Sequence, residues 1–139
     1  MPETIDAVAF HLTQLRAGEF EAAYHGLLDL DGAAAPLLIA AFSAFDDSAT
    51  RAILVEVVWQ SRRPDMIGFL GATLFDRSPD VWKQALDGLV AISGPHAVRE
   101  IRAALAKVQL QSADNGLTVD WLQEALDQVN DSAVASEGA

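Results

Sequence analysis

The sequence predicts an all-α fold: a short α-solenoid of about three helical hairpins with a capping helix at each end. Three observations carry the prediction. Apolar residues recur at helical spacing along most of the chain, prolines and glycines punctuate it at regular intervals, and one segment repeats another thirty-one residues later. At 139 residues the chain suffices for one domain with one continuous core and is too short for two ordinary domains. Residues 1–130 are the expected single domain. The small and acidic residues 131–139 are the expected disordered tail.

The first element is an amphipathic helix over residues 2–15, with Ile5, Val8, Leu12 and Leu15 on one face. A first hairpin follows, with helices at 19–30 and 36–45. The next two hairpins are the clearest. Laid without a gap on residues 80–105, residues 49–74 pair Leu54 with Ala85, Val55 with Leu86, Val58 with Leu89, Pro64 with Pro95, Ile67 with Val98 and Leu70 with Ile101. Each proline falls where a second helix should start, where its fixed φ and missing N–H do no harm. Gly94 supplies a turn, and Ser78 is a natural cap ahead of Pro79. Asp46, Asp47 and Asp76 lie at inter-hairpin turns, where aspartate accepts local backbone N–H bonds. Asn115 and Gly116 break the chain before a last helix marked by Val119, Leu122, Leu126 and Val129. The first and last helices are the expected caps of an otherwise open-ended stack.

Composition bounds the chemistry. An apolar fraction of 51% beside 21% charged residues allows both a core and a solvated surface. The absence of cysteine removes disulfides, thiolate zinc sites and thiol nucleophiles. No run of about eighteen uncharged apolar residues is present, as a membrane span needs, and the acidic start is unlike a secretory signal. The expected compartment is the cytoplasm, with no membrane partner. The net charge of −11 is uneven: −7 over residues 1–50, +2 over 51–107 and −6 over 108–139. Without a concentrated positive face, nucleic acid is not an expected partner; another protein is, and the acidity either steers a basic partner toward the chain or serves solubility alone.

Candidate chemistry is sparse. Glu21, His25 and Asp29 stand at four-residue steps on one helix, a spacing that suits an N,O metal site and equally the solvent face of an amphipathic helix. Ser93 and His96 flank one turn, a placement open to a nucleophile and base but better read as a helix end. Gly68, Gly71 and Gly88 sit inside helices, where glycine costs about 1 kcal/mol against alanine, so close contacts at those points are expected. Phe69 aligns with Glu100, and Trp82 with Arg51; the polar equivalents suggest solvent-facing sites, open equally to interface anchors and to partial packing against the core. Trp59 aligns with Val90 and reads as core.

These paired helices resemble HEAT repeats, including the short variety of phycobilisome-lyase-type arrays. The resemblance rests on Asp76, Ser78, Pro79, Val81, Ala85, Leu86, Leu89 and Gly94, continued by Pro95, Val98, Ile101 and Leu105, and covers residues 19–107. The family carries a basic residue after the valine; Trp82 stands there here, while the preceding unit has Arg51. The resemblance implies a binding scaffold whose second helices line an inner surface. That surface would present Asp65, Gly68, Phe69 and Thr73, then His96, Arg99, Glu100 and Ala103, with Arg62 and Arg63 as a small basic rim. Asp65, Phe69, Thr73, Trp82, His96, Arg99 and Glu100 are therefore the expected partner-binding residues.

The functional expectation is a non-enzymatic protein-binding module that needs no cofactor. Two versions stand beside each other: an acidic immunity or inhibitor protein that neutralises a basic toxin or enzyme, and an adaptor or assembly subunit that holds a polypeptide in the inner groove. A metal-dependent enzyme is the remaining alternative. A glycosylase of the kind some HEAT-like proteins form fits poorly with so short and acidic a chain.

Overall fold

The computed structural model describes residues 2–30 and 32–138, with the backbone alone at Pro2 and over 131–138. Among the described residues there are eight α-helices and no strand. They are α1 (Pro2–Arg16), α2 (Phe20–Leu28), α3 (Ala35–Phe42), α4 (Ser48–Gln60), α5 (Ile67–Thr73), α6 (Pro79–Ile92), α7 (Gly94–Leu110) and α8 (Val119–Gly138). Short 3-10 turns, Gly32–Ala34 and Pro64–Met66, lead into α3 and α5. The expected tail at 131–139 falls on residues whose side chains, and for Ala139 the backbone as well, lie outside those described.

Local chemistry explains the boundaries. Pro36, Pro64, Pro79 and Pro95 each occupy the first turn of a helical segment, the position that tolerates proline. The Asp47 carboxylate accepts from the Thr50 backbone N–H at 2.9 Å and caps α4. Ser78 holds the N-cap position of α6, but its hydroxyl makes no capping bond. Instead Asp76 accepts from the Ser78 N–H at 2.9 Å, an Asx-type turn ahead of the helix. α6 passes into α7 through Ser93 and Gly94, both at positive φ. Gly116 does the same before α8.

The first helices of the three hairpins lie side by side, α2 on α4 and α4 on α6, while α5 packs on α6 and α7. α1 covers α2 and α8 covers α7 and part of α6. Two apolar cores result. Val8, Leu15, Leu27, Leu38, Leu54, Val57, Val58 and Met66 are among the members of the first; Val55, Leu70, Leu74, Trp82, Leu89, Ile101 and Leu122 are among those of the second. Fully burying one such side chain is worth about 1.5–3 kcal/mol. Phe42 and Phe69 touch both cores and meet edge to face, 5.3 Å between ring centroids. The most apolar stretch, α2 with the turn and α3 after it, bends by 116° between its two parts. Among the described residues no single helix is long and apolar enough to cross a membrane.

Polar side chains stitch successive hairpins together at both ends. At the intra-hairpin turns, Arg63 donates to the Gly32 carbonyl and Arg62 to the Ala91 carbonyl. At the inter-hairpin loops, Arg77 donates to the Asp46 carbonyl, and Asn115 to the carbonyls of Leu74 and Asp76. Two of these acceptors, the Leu74 and Ala91 carbonyls, stand at helix C-terminal ends, which lack intrahelical partners.

Candidate functional site

Glycine and alanine on α5 and α7 keep the surface between those helices low. Gly68, Gly71 and Ala72 face Ala103 and Ala104, and the shallow groove they form runs toward Phe75 and Lys107. There it opens into a cleft of about 600 Å³ between the α5–α6 loop and the end of α7. Phe75, Arg77, Lys107 and Leu110 frame the cleft, and residues 111–115 close it. Leu110 is 89% exposed and Phe75 40%. Large apolar groups this accessible, gathered at one concave place, mark interaction surfaces.

Its electrostatics run against those of the whole chain. The Lys107 ammonium lies 5.2 Å above the Phe75 ring centroid, a cation–π contact that also holds the ring. Arg77 commits one donor to the Asp46 carbonyl at 3.1 Å and has further N–H groups to offer. Among the described residues Asp114 is the single carboxylate lining the cleft. The floor is fixed by Asn115, which donates to two carbonyls of the neighbouring loop, accepts from the Leu117 N–H, and receives the Trp82 indole N–H on its own carbonyl at 2.8 Å.

Several expected site residues lie elsewhere. Trp82 is not exposed: at 1% accessibility it is a core residue, packed edge to face against Trp121. Its partner in the alignment, Arg51, is buried as well and pairs with Asp76. The inference of exposure from a polar equivalent therefore fails at Trp82, because one polar atom of each side chain, Arg51 Nη2 and Trp82 Nε1, reaches a partner in the following loop. Phe69 is half-buried between the two cores. Thr73 is buried, with its hydroxyl donated to the Phe69 carbonyl. Asp65 is exposed but chelated by Arg63, so Arg62 and Arg63 are stitching residues and not a free rim. His96 and Arg99 are exposed near the start of α7, remote in sequence from the cleft end of that helix. Glu100 alone of the expected set lines the groove, its carboxylate over Gly71 where a Cβ would collide with it.

Phe75, Arg77, Lys107 and Leu110 escaped sequence reasoning. One signal was available for Leu110. It stands nine residues after Ile101, about 180° round the helix from the buried stripe, so a large apolar side chain there has no core to enter.

The other candidates do not assemble into a site. Glu21 and His25 approach to 4.0 Å on an exposed face, and among the described residues no three His, Asp or Glu side chains gather as a metal site. His11 bonds Gln14 at 2.7 Å and fills the notch left by Gly26. Burial pushes the Arg51 guanidinium below its ordinary value, and nearby Arg77 adds to this while Asp46 opposes it. Asp87, at a small cleft with Leu86, Val90 and Trp121, is raised by desolvation.

Comparison of the chain with protein-family models, with curated proteins and with solved structures finds no match.

Proposed function

We propose that the chain is a protein-binding module, an adaptor or assembly subunit that holds a polypeptide segment in the α5–α7 cleft. The stacked hairpins would serve as a short HEAT-like scaffold, and the cytoplasm would be the setting. The observation that carries this reading is the pair Phe75 and Leu110, exposed in one cleft with Lys107 and Arg77 and with a floor fixed by Asn115. Exposed apolar anchors beside cations suit a segment with a large apolar side chain and a carboxylate. Capture from native lysate tests it: a partner retained by the wild type at high salt and lost with Leu110→Asp supports the reading, and retention by Leu110→Asp overturns it.

The charge distribution favours a second reading, an acidic inhibitor or immunity protein that occludes a basic toxin or enzyme. Residues 1–50 carry −7, and Glu3, Asp6, Glu19 and Glu21 are all exposed. Such a partner would be released by salt, indifferent to Leu110→Asp and lost when Glu3 and Asp6 become lysine.

A further inference from the structure

A terminal helix that caps a stack should show a polar outer face. α8 does so at Asp120, Gln123, Glu124, Asp127 and Gln128, with Trp121 as the one large apolar exception over residues 119–130. α1 does not. Its inner face buries Val8 and Leu15, yet Phe10 on the opposite side is 61% exposed, and Ile5, at the rim of the inner face, is 52% exposed with Ala9 exposed beside it. A helix apolar on both sides is built to be covered on both.

We propose that the outer face of α1 is covered by a second copy of this chain, docking into that copy's Phe75–Leu110 cleft. The two surfaces are complementary. The outer α1 surface carries Phe10, with Ile5 at its rim, and the exposed carboxylates of Glu3 and Asp6; the cleft carries Phe75 and Leu110 with Arg77 and Lys107. A symmetric α1–α1 contact would cover the apolar residues but leave Arg77 and Lys107 without the carboxylates, whereas docking into the cleft sets opposite charges together. The contact is therefore heterologous, head to tail, and a dimer keeps one unused α1 and one unused cleft. It uses the cleft assigned above to a polypeptide partner, so self-association would mask that cleft. It is read on pure protein alone, and so stands or falls separately from capture of a foreign partner.

Sedimentation velocity over a concentration series, at low and high salt, tests it. The expected wild-type result is a mass that climbs with concentration beyond the 14.8 kDa monomer and falls back with salt. Phe10→Asp and Leu110→Asp, both at exposed positions and checked for helix content by circular dichroism, should each be monomeric. Mixed in equal amounts they should form a heterodimer and nothing larger, because the mixture holds one intact α1 surface and one intact cleft. Ile5→Asp and Lys107→Glu repeat the experiment should either first variant misfold. A wild type that stays monomeric throughout overturns the proposal. So does Leu110→Asp that still dimerises while Phe10→Asp does not, which is the signature of symmetric α1 pairing.

Discussion

Arg51 and Trp82 occupy the same position in successive hairpins, thirty-one residues apart, and each sends a polar atom from the core to the loop that ends its hairpin. Arg51 reaches the Asp76 carboxylate, and Trp82 reaches the Asn115 carbonyl. The chemistry differs while the task is the same, to tie the start of a first helix to the loop beyond its second.

The Arg51–Asp76 pair is the riskier solution. A buried ion pair repays its desolvation only with good geometry, and one Arg51 nitrogen, Nη1, has no hydrogen-bond partner. Removing only the acid strands the cation. Asp76→Ala should cost about 3–5 kcal/mol, while the double change Arg51→Met with Asp76→Ala should recover most of it. Urea unfolding at neutral pH measures both; an additive double mutant would refute the account.

Two helical glycines should respond to alanine with opposite signs. At Gly88 a Cβ would lie 2.6 Å from Trp59 Cβ and Cγ, atoms near the root of the side chain that have little room to move. Gly88→Ala should destabilise by about 1–3 kcal/mol through overpacking. Gly68 is exposed, with nothing within 4 Å of the same position, so Gly68→Ala should stabilise by about 0.5–1 kcal/mol. Thermal unfolding of the two variants side by side reads the contrast.

Trp82 and Trp121 touch but differ in access, 1% against 42%. In chains that retain a single tryptophan, acrylamide should quench Trp121 readily and Trp82 hardly at all. Asn115→Ala removes the donor to Leu74 and Asp76, leaving two part-buried acceptors unmet at a cost of about 1–3 kcal/mol. It should also raise quenching of Trp82 by loosening the loop over it.

Asp87 gives a pH prediction. Its folded-state value is raised by desolvation, so the folded chain binds a proton more readily than the unfolded one. Its contribution to stability falls as pH rises from the ordinary aspartate value through the raised one. Asp87→Asn should therefore be stabilising at neutral pH and neutral in acid, by a small amount because the group still meets water. Chemical denaturation of both forms across that range checks the sign.

The helices were legible because their signals are local. The four interior prolines, Gly94 and Gly116 and the stripe of Val98, Ile101, Leu105 and Val108 each act within one or two turns of chain. The all-α class follows from them. Burial at Arg51 and Trp82 was not legible, since it depends on Asp76 and Asn115, loop residues 25 and 33 positions further on. The cleft was hidden for a related reason. Phe75 and Leu110 come together only when two loops stack, and neither lies in the part of the repeat that aligns. Glu100 was found because the second-helix face is itself periodic.

α4 is a party wall. Leu54, Val57 and Val58 look into one core and Val55 into the other, so no rotation of that helix improves one side without disturbing its neighbour. Opening either half leaves α4 held by the other, and its amides should exchange with solvent more slowly than those of α1 or α8. The same sharing resists division: a cut on either side of α4 leaves an open core in the fragment that loses the helix and a bare apolar helix face in the fragment that keeps it, so each half should be less stable than the whole.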